Sequence, residues 1–210
     1  MDLVLATRST HKIKEIRRIL EMVPELRLLD LTEAGVRYAA AEEELEPYDT
    51  FEENAASKAS YFQGITGLPT VADDSGIEID LLDGAPGVRS KRFAPDQGFV
   101  DLALDQANNE HLLASLGDAP LAKRTGRYVC VAVLNRGDAD DVTVVRGEAP
   151  GLILNVPQGS AGFGYDPFFF DEELGKTFAE IAPEEKDARS HRGKAFRALA
   201  VALVSAPQRS

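Results

Sequence analysis

The sequence has little of several components, and each shortage excludes a class of protein. Its one cysteine, Cys130, rules out an internal disulfide, and the alternating apolar run around it predicts a buried, inert thiol. The C-terminal apolar run, residues 198–206, is too short to cross a bilayer, and the first residues lack the basic start and long apolar core of a targeting signal. We therefore expect a cytoplasmic protein without a membrane partner.

Positive charge is also scarce. Only 23 lysines and arginines accompany 35 aspartates and glutamates, so the formal net charge is −12. Binding to a nucleic-acid backbone requires a broad basic face, and this composition argues against a nucleic-acid partner. With 44% hydrophobic and 28% charged residues, the chain of 210 residues is instead typical of a globular protein. Local clusters of cations are therefore conspicuous.

The most informative stretch is Val71-Ala72-Asp73-Asp74-Ser75-Gly76, where an apolar run meets two adjacent carboxylates. The run predicts a short buried strand and Gly76 allows the backbone to turn, so we expect Asp73 and Asp74 at a strand end. Adjacent anions raise each other's pKa unless a cation lies between them, and Mg²⁺ held by one or two carboxylates and substrate phosphates is a common solution. An Asx turn explains this stretch alone about as well.

The beginning of the chain predicts a strand–turn–helix unit. Residues 3–6 are an apolar strand, residues 7–10 are a turn rich in hydroxyls, and apolar residues then recur at helical spacing. The N-terminus of such a helix offers free N–H groups, so an anion could bind beside Thr7, Ser9 and Lys12. A simple Ser/Thr cap of the helix accounts for these residues equally well.

A second helix is predicted to begin at Thr50-Phe51-Glu52-Glu53, which has the spacing of a capping box. Asn54 and Lys58 are four residues apart and therefore share one face of this helix. The five glutamates in residues 33–46 are typical of a solvated face, although one of them near an active site could complete the oxygen shell of a metal.

A glycine-rich loop, Gly159-Ser160-Ala161-Gly162-Phe163-Gly164-Tyr165-Asp166-Pro167, requires an explanation. Its glycines would let a ligand approach the backbone, and Phe163 or Tyr165 could lie against a flat heterocycle. A hairpin tip packed by aromatic side chains is the alternative. The loop lacks the third glycine of a dinucleotide-binding fingerprint, so it does not indicate a Rossmann enzyme.

Several basic residues precede the last helix, from Lys186 through Arg189, His191 and Arg192 to Lys194. Cations at a helix N-terminus oppose the helix dipole and cost roughly a few tenths of a kcal/mol each. The arrangement becomes favourable when an anion lies among them, so this stretch predicts a bound anion in preference to a solvated basic turn.

The remaining pattern predicts the fold class. Residues 123–134 and 141–148 read as two long strands, and strands and helices alternate elsewhere in the chain. No segment repeats and no Pro/Ser-rich linker divides the sequence. We therefore expect an α/β fold that forms a single domain, residues 1–210, with a cleft.

These blocks occur together, in this order, in a known family. The chain resembles the inosine/xanthosine triphosphate pyrophosphatases, which act on deaminated purine nucleotides. The resemblance implies a mixed, elongated central sheet flanked by helices, two lobes with an active-site cleft between them, and a homodimer. The strongest matches are Ala72-Asp73-Asp74-Ser75-Gly76 with Gly84-Ala85-Pro86-Gly87, then Gly162-Phe163-Gly164-Tyr165-Asp166-Pro167, then Ser190-His191-Arg192-Gly193.

Carried over position by position, the resemblance also implies roles for residues. Asp74 would be the catalytic carboxylate and a Mg²⁺ ligand, with Glu46 as its metal partner. The reaction would be hydrolysis of ITP, dITP or XTP to the monophosphate and pyrophosphate. The substrate-binding residues would be Thr7, Arg8, Ser9, Thr10, His11, Lys12, Lys58, Ser75, Phe163, Gly164, Tyr165, Asp166, Lys186, His191 and Arg192, with residues 163–166 forming the wall of the purine pocket.

The opening turn departs from the family pattern. Relatives usually have Thr-Gly-Asn where this chain has Thr7-Arg8-Ser9, so the contact normally made by the asparagine is missing. An additional phosphate contact from Arg8 is one way in which the chain could replace it.

Two other functions fit the same sequence features. A Maf-like pyrophosphatase that acts on pyrimidine or modified nucleotides would share the acidic site and the fold. A non-catalytic nucleotide-binding protein would keep the pocket without turnover. The presence of both metal carboxylates and the surrounding cations favours the enzyme.

Overall fold

The computed structural model describes residues 1–96, 98–137 and 141–205; Ala206, the last residue of the C-terminal apolar run, lies outside these ranges. Within them the protein has a mixed sheet and five α-helices, which confirms the predicted α/β fold class. The strands are β1 (Asp2–Leu5), β2 (Arg27–Asp30), β3 (Thr70–Ile79), β4 (Pro86–Gly87), β5 (Thr125–Asn135), β6 (Val142–Ile153), β7 (Phe169–Asp171) and β8 (Lys176–Thr177). The helices are α1 (Thr10–Leu20), α2 (Phe51–Thr66), α3 (Asp101–Leu116), α4 (Pro183–Arg189) and α5 (His191–Ser205).

The sheet has the strand order β2-β1-β3-β5-β6-β7-β8, and β4 pairs with β3 at the side of this path. Strand β1 runs parallel to both of its neighbours, with Leu3 opposite Leu28 and Val4 opposite Thr70. The pairs β3–β4, β6–β7 and β7–β8 are antiparallel. The helix between β1 and β2 is the crossover that a parallel pair requires, since a tight turn can join only antiparallel strands.

The chain forms two compact units. The first contains Met1–Asp74, Cys130–Gly147 and the residues from His191 onward. Its core packs α1 and α5 against the buried strands, and Cys130 is buried within it as predicted. The largest contributors to this core are Leu3, Leu5, Ile16, Leu134, Phe196 and Leu199.

The second unit contains Ser75–Val129 and Glu148–Ser190. Its core is more aromatic, because the rings of Tyr128, Phe169 and Phe178 contact one another at centroid distances of 4.6–5.9 Å. Such ring contacts contribute about 0.5–1.5 kcal/mol each beyond the area that they bury. This cluster supports the glycine-rich loop, whose Tyr165 is part of the same core.

Helix starts confirm the local capping signals. The Ser9 side chain accepts a hydrogen bond from the Lys12 backbone N–H at 3.4 Å, so Ser9 caps α1. Thr50 accepts one from the Glu53 N–H at 3.2 Å and caps α2. In the described part of the chain no helix is both long and apolar enough to cross a membrane.

The expected strand end at Asp73 and Asp74 is wrong. Strand β3 continues through both aspartates and Gly76, and it ends only at a 3₁₀ turn that begins at Asp80. The two apolar runs on either side of the aspartates belong to one strand because both find partners, β1 on the first half and β4 on the second. Successive side chains of a strand point to opposite faces, so the two carboxylates are separated rather than paired.

Candidate active site

Asp74 is buried and oriented by a side chain from α2. The Asn54 Nδ2 atom donates to Asp74 Oδ2 at 3.1 Å. Asn54 is itself fixed, because its amide both donates to the Tyr48 carbonyl at 3.1 Å and accepts from the Tyr48 N–H at 2.9 Å. Asn54 is not among the site residues that the sequence predicts. Its position on α2, one helical turn before Lys58, is the sequence feature that could have indicated its role.

Lys58 contacts one of the two carboxylates that the resemblance assigns to the metal, Glu46, and the backbone next to the other. Its ammonium donates to the Glu46 carboxylate and, at 2.6 Å, to the Asp73 backbone carbonyl. Burial lowers the pKa of Lys58, but the charges of Glu46, Asp74 and Asp73 outweigh burial and raise it above its ordinary value. Lys58 is therefore a permanent cation in this site.

The two metal-assigned carboxylates differ in acidity. Burial raises the pKa of Glu46, but the charges of Lys58 and Lys12 outweigh it, so the pKa lies below its ordinary value. The pKa of Asp74 is raised, first by burial and also by the charge of Glu46, against the lowering effects of Lys58 and Lys12. The charges of Lys58 and Lys12 act on both carboxylates, so Glu46 and Asp74 lie in the field of the same two cations.

Asp73 gathers cations on the other face of β3. Its Oδ2 atom lies 2.9 Å from Lys12 Nζ and 3.6 Å from Arg192 Nε, and the Cys130 thiol lies 3.8 Å away. Burial raises the pKa of Asp73, but Lys12, Arg192 and Lys58 outweigh it and hold the pKa well below its usual range. Asp73 is therefore an anion that positions two cations rather than a group that exchanges protons.

Arg192 is held at the start of α5. Its Nη1 atom donates to Glu15 Oε2 of α1 at 2.5 Å, and both side chains are almost inaccessible to solvent. The first turn of α5 lies directly against Gly147 of β6, where a Cβ would come within 2.2 Å of the His191 carbonyl oxygen. Any side chain at position 147 would push this turn and its two site residues outward, and sequence reasoning did not single out either Glu15 or Gly147 as a site residue.

The opening turn places Thr7, Ser9 and Lys12 around the N-terminus of α1. The Thr7 hydroxyl accepts the Ser9 N–H at 3.2 Å, and Lys12 reaches Asp73. Thr10 and the exposed His11 form the first residues of the helix. Arg8 instead makes a two-bond ion pair with Glu42, at 2.8 and 3.0 Å. The first unit thus contains the opening turn, Glu46, Lys58, Asp74, His191 and Arg192.

The glycine-rich loop of the second unit folds around Asp166. The Asp166 carboxylate accepts the Phe163 N–H at 2.9 Å and pairs with Lys186 at 2.7 Å. Gly162 has φ +76°, and a Cβ there would lie 2.1 Å from Asp166 Oδ2, so only glycine fits. The Lys186 ammonium lies 4.9 Å from the centre of the Phe163 ring, a cation–π distance.

Of the remaining loop residues, some pack into the core and hold the loop in place, and others are accessible to a ligand. Tyr165 is buried and donates its hydroxyl to the Ser90 carbonyl at 2.7 Å, so its ring belongs to the core. The Gly164 N–H donates to Asp105 of α3 at 2.8 Å. Phe163 is only half-buried, which leaves it as the ring of this loop suited to stacking on a flat ligand. Ser75, also half-buried, follows Asp74 in β3.

The donors of the first unit are suited to a hard cation. Among the described residues no group of three or more His, Cys, Asp and Glu side chains could enclose a metal ion. The pair Glu46 and Asp74 offers carboxylate oxygens only. Mg²⁺ is usually held by one or two carboxylates, water and substrate phosphates rather than by a complete protein cage, so this donor set fits Mg²⁺.

Known proteins share this sequence and architecture. A model of the Ham1 family matches residues 3–202. The chain belongs to the Ham1 family. A dITP/XTP pyrophosphatase of Frankia alni is 44% identical over 203 residues, which are 97% of each protein, and one of Yersinia pseudotuberculosis is 44% identical over 97% of this chain and 98% of the relative. The solved structure of a Ham1 protein from Coxiella burnetii has a TM-score of 0.84 at 35% identity and covers 98% of this chain and 100% of that one.

Proposed function

We propose that this Ham1 family protein hydrolyses deaminated purine nucleoside triphosphates, namely ITP, dITP and XTP, to the monophosphate and pyrophosphate. The observation that carries the proposal is the contact of Lys58 with Glu46 and with the Asp73 carbonyl directly before Asp74, while Lys12 and Arg192 lie against the Asp73 carboxylate. The names of the relatives, dITP/XTP pyrophosphatases matched over nearly the full chain, support the same substrates.

Glu46 and Asp74 would hold Mg²⁺ together with the phosphates of the substrate. Bound there, the ion would supply neutralisation of the charge on the triphosphate and orientation of its anhydride bond. Lys12, Lys58 and Arg192 would contribute fixed positive charge to the same phosphates. Such preorganised charge stabilises a transition state because it requires no rearrangement at the moment of reaction.

Asp74 is the residue that we assign to proton removal. A water molecule would attack the first phosphorus atom, and one of its protons would pass to the Asp74 carboxylate. The bond from that phosphorus to the oxygen that bridges it to the second phosphorus would break, so that pyrophosphate leaves with the bridging oxygen and the monophosphate keeps the oxygen of the water. The hydrogen bond from Asn54 keeps one oxygen of the buried Asp74 carboxylate in a fixed orientation. Glu46 is instead bound by the Lys58 ammonium, which makes it less suited to accept a proton.

The second unit would recognise the purine. Phe163 provides a face for stacking, and the nearby Lys186 ammonium is a donor suited to a keto oxygen at position six of the ring. An amino group at that position could not accept a hydrogen bond from this ammonium and would bring a second donor against it. Sites of this kind discriminate by several powers of ten because an unpaired buried donor is costly.

The proposal includes an assembly and a location. The family resemblance implies a homodimer, and we propose that this homodimer acts on free nucleotides in the cytoplasm. The net charge of −12 is consistent with a small-molecule substrate rather than a nucleic-acid one. Analytical ultracentrifugation of the purified protein tests the dimer directly, because a single monomer boundary at micromolar concentration would contradict it.

The Asp74→Asn variant tests whether Asp74 is the base that accepts the proton of the attacking water. Asp74→Asn keeps the shape of the side chain but removes its proton-accepting charge, so turnover of ITP should fall by at least about 10²–10⁴-fold while the nucleotide still binds. The matched control is Asp118→Asn, which changes an exposed aspartate at the end of α3 and should leave both quantities unchanged. Near-normal pyrophosphate release from Asp74→Asn would show that the role is misassigned.

A further inference from the structure

Arg8 stands where relatives have glycine, and its guanidinium is bound to the protein. Nε and Nη2 donate to the two carboxylate oxygens of Glu42 at 3.0 and 2.8 Å. Nη1 and Nη2 donate to the Val36 carbonyl, each at 3.3 Å. A guanidinium has five N–H donors, and these contacts use four of them, which leaves little capacity for a phosphate.

Glu42, the partner of Arg8, is the less exposed end of the contact. The side chain of Glu42 is only 8% exposed, compared with 35% for Arg8. Glu42 also accepts the Ala39 backbone N–H at 3.1 Å, which closes the start of the 3₁₀ helix Ala40–Glu44. Fork-shaped arginine–carboxylate pairs fix orientation as well as distance. The opening turn of the chain is therefore tied at two points to the segment that begins at Val36.

That segment carries Glu46. Its 3₁₀ helix ends in a bond from the Leu45 N–H to the Glu42 carbonyl at 3.4 Å, and Glu46 is the next residue. The segment is otherwise poorly anchored, since residues 37–41 are all exposed and none of the 3₁₀ helix is buried. The contacts of Arg8 with Val36 and Glu42 hold the part of the segment that precedes Glu46.

We infer that Arg8 is a positioning residue, which acts through its ion pair with Glu42 to hold Glu46 beside Lys58 and Asp74. The inference rests on the proposed function, because it assigns Arg8 a part in presenting a metal carboxylate. It replaces the earlier expectation of a direct phosphate contact. It also explains how glycine can be absent from the opening turn, since the larger side chain points to a neighbouring segment that it stabilises.

A positioning role and a phosphate contact predict different mutant patterns. If Arg8 holds the segment, Arg8→Gln and Glu42→Gln both break the ion pair and should change the same properties in the same direction. The change should be larger in Arg8→Gln, which also removes the bonds to the Val36 carbonyl, and the double variant should be little worse than Arg8→Gln. If Arg8 binds phosphate, Arg8→Gln should raise the KM for ITP, whereas Glu42→Gln should leave it unchanged or lower it by releasing the guanidinium.

The first readout needs no metal or substrate. Amide hydrogen exchange of residues 36–46, measured on the metal-free protein, should speed up in both Arg8→Gln and Glu42→Gln, and more in Arg8→Gln. Arg136→Gln is the matched control, because Arg136 makes a comparable arginine–aspartate pair at 3.0 Å elsewhere in the first unit. In this control the exchange of residues 36–46 should equal that of the wild type.

The second readout is the Mg²⁺ requirement. Loss of a side chain that orients a metal ligand typically weakens metal binding by about 10–100-fold, so the Mg²⁺ concentration for half-maximal ITP hydrolysis should rise by that factor in both single variants. The swapped pair Arg8→Glu with Glu42→Arg should recover at least part of the loss. Recovery by the swap distinguishes a restored ion pair from general damage.

Opposite results overturn the inference. Unchanged exchange of residues 36–46 in both single variants would show that the ion pair does not hold the segment. A rise in the KM for ITP confined to Arg8→Gln would assign Arg8 to the phosphates instead. If the wild type releases no pyrophosphate from ITP, the proposed function fails, and the exchange measurement on the metal-free protein still decides whether Arg8 and Glu42 hold the segment.

Discussion

One buried aspartate in each compact unit is held by a lysine at nearly the same distance, yet the two surroundings differ. Asp73 of the first unit contacts Lys12 at 2.9 Å and also has Arg192 at 3.6 Å. Asp166 of the second unit contacts Lys186 at 2.7 Å and binds a backbone N–H of its own loop at 2.9 Å. Asp73 therefore contacts cations from two separate helices, whereas Asp166 contacts one lysine and the backbone of its own loop.

The comparison shows that an aspartate–lysine pair occurs in two different surroundings. Burial raises the pKa of Asp73, but the charges of Lys12 and Arg192 outweigh it and hold that carboxylate ionised. The loop around Asp166 is shaped instead by Gly162 and by ring contacts. Under the proposed function, surroundings of the first kind would suit phosphates and a loop of the second kind would suit a flat base.

The largest effect on stability is expected when the lysine of the second unit is removed. Lys186→Met leaves Asp166 buried without its ammonium partner, and breaking a buried pair in this way costs about 3–5 kcal/mol in the free energy of unfolding. Lys12→Met should cost less because Asp73 keeps Arg192. Urea unfolding measures the free energy of unfolding of the two variants, with Lys176→Met, at an exposed lysine, as the control. If Lys186→Met and Lys12→Met lose equal free energy, the two aspartates do not differ in their dependence on lysine.

The next effect concerns catalysis in the first unit. Lys58→Met removes the cation that contacts Glu46 and the Asp73 carbonyl, so kcat for ITP should fall by about 10²–10³-fold, the usual effect of one preorganised donor. Lys14→Met, on the exposed side of α1, is the control. Steady-state kinetics at saturating Mg²⁺ measures the change, and an unaltered kcat would place the chemistry elsewhere.

A smaller effect is expected from the stacking ring. Phe163→Ala should weaken ITP binding by about 1–3 kcal/mol, which raises KM roughly 5–150-fold with little change in kcat. Phe163→Tyr keeps the ring face and should behave like the wild type. If Phe163→Ala instead lowers kcat and leaves KM unchanged, the loop serves the chemical step rather than base recognition.

The smallest effect is a pH-dependent one on the surface of the second unit. Burial raises the pKa of Asp171, but hydrogen bonds from Arg189 and from backbone N–H groups outweigh it, so the pKa is lowered. The resulting stability is present above the unfolded-state pKa, about 3.9, and is lost as the pH falls through the lower folded-state pKa.

Arg189→Gln should therefore raise the pKa of Asp171 toward its unfolded-state value, so that the variant is less stable than the wild type above that pKa and loses less free energy of unfolding as the pH falls. Below the folded-state and unfolded-state pKa values Asp171 is protonated in both states, so its pairing with Arg189 should no longer contribute to the difference in stability between the two proteins. Chemical unfolding across the acidic range measures the difference, with the exposed Arg37→Gln as the control. If the free energies of unfolding of the wild type and Arg189→Gln differ by the same amount at every pH, the substitution has removed packing rather than a charge pair.

Local features of the fold were predictable because their causes lie within a few residues. The capping serine and threonine at Ser9 and Thr50 act three residues ahead, and each begins the helix that the pattern indicated. The alternating run around Cys130 is a buried strand for the same reason. The central stretch was located correctly as a charged, buried region, although its geometry was not.

The errors and omissions come from partners that are distant in sequence. The continuity of β3 depends on β1 and β4, which pair with its two halves, and no local signal shows this. The bond between Asn54 and Asp74 spans 20 residues, and the pair of Arg8 and Glu42 spans 34. Gly147 is needed only because α5 returns to lie against it. Such contacts are consequences of topology, which the periodicity of a single segment does not encode.

The most direct test of the account is pyrophosphate release from ITP, measured beside ATP, dTTP and UTP, with Mg²⁺ and after its removal by a chelator. We predict that ITP yields equal amounts of the monophosphate and pyrophosphate, that ATP reacts far more slowly, and that chelation stops the reaction. Faster hydrolysis of dTTP or UTP, release of orthophosphate, or nucleotide binding without any pyrophosphate would contradict it.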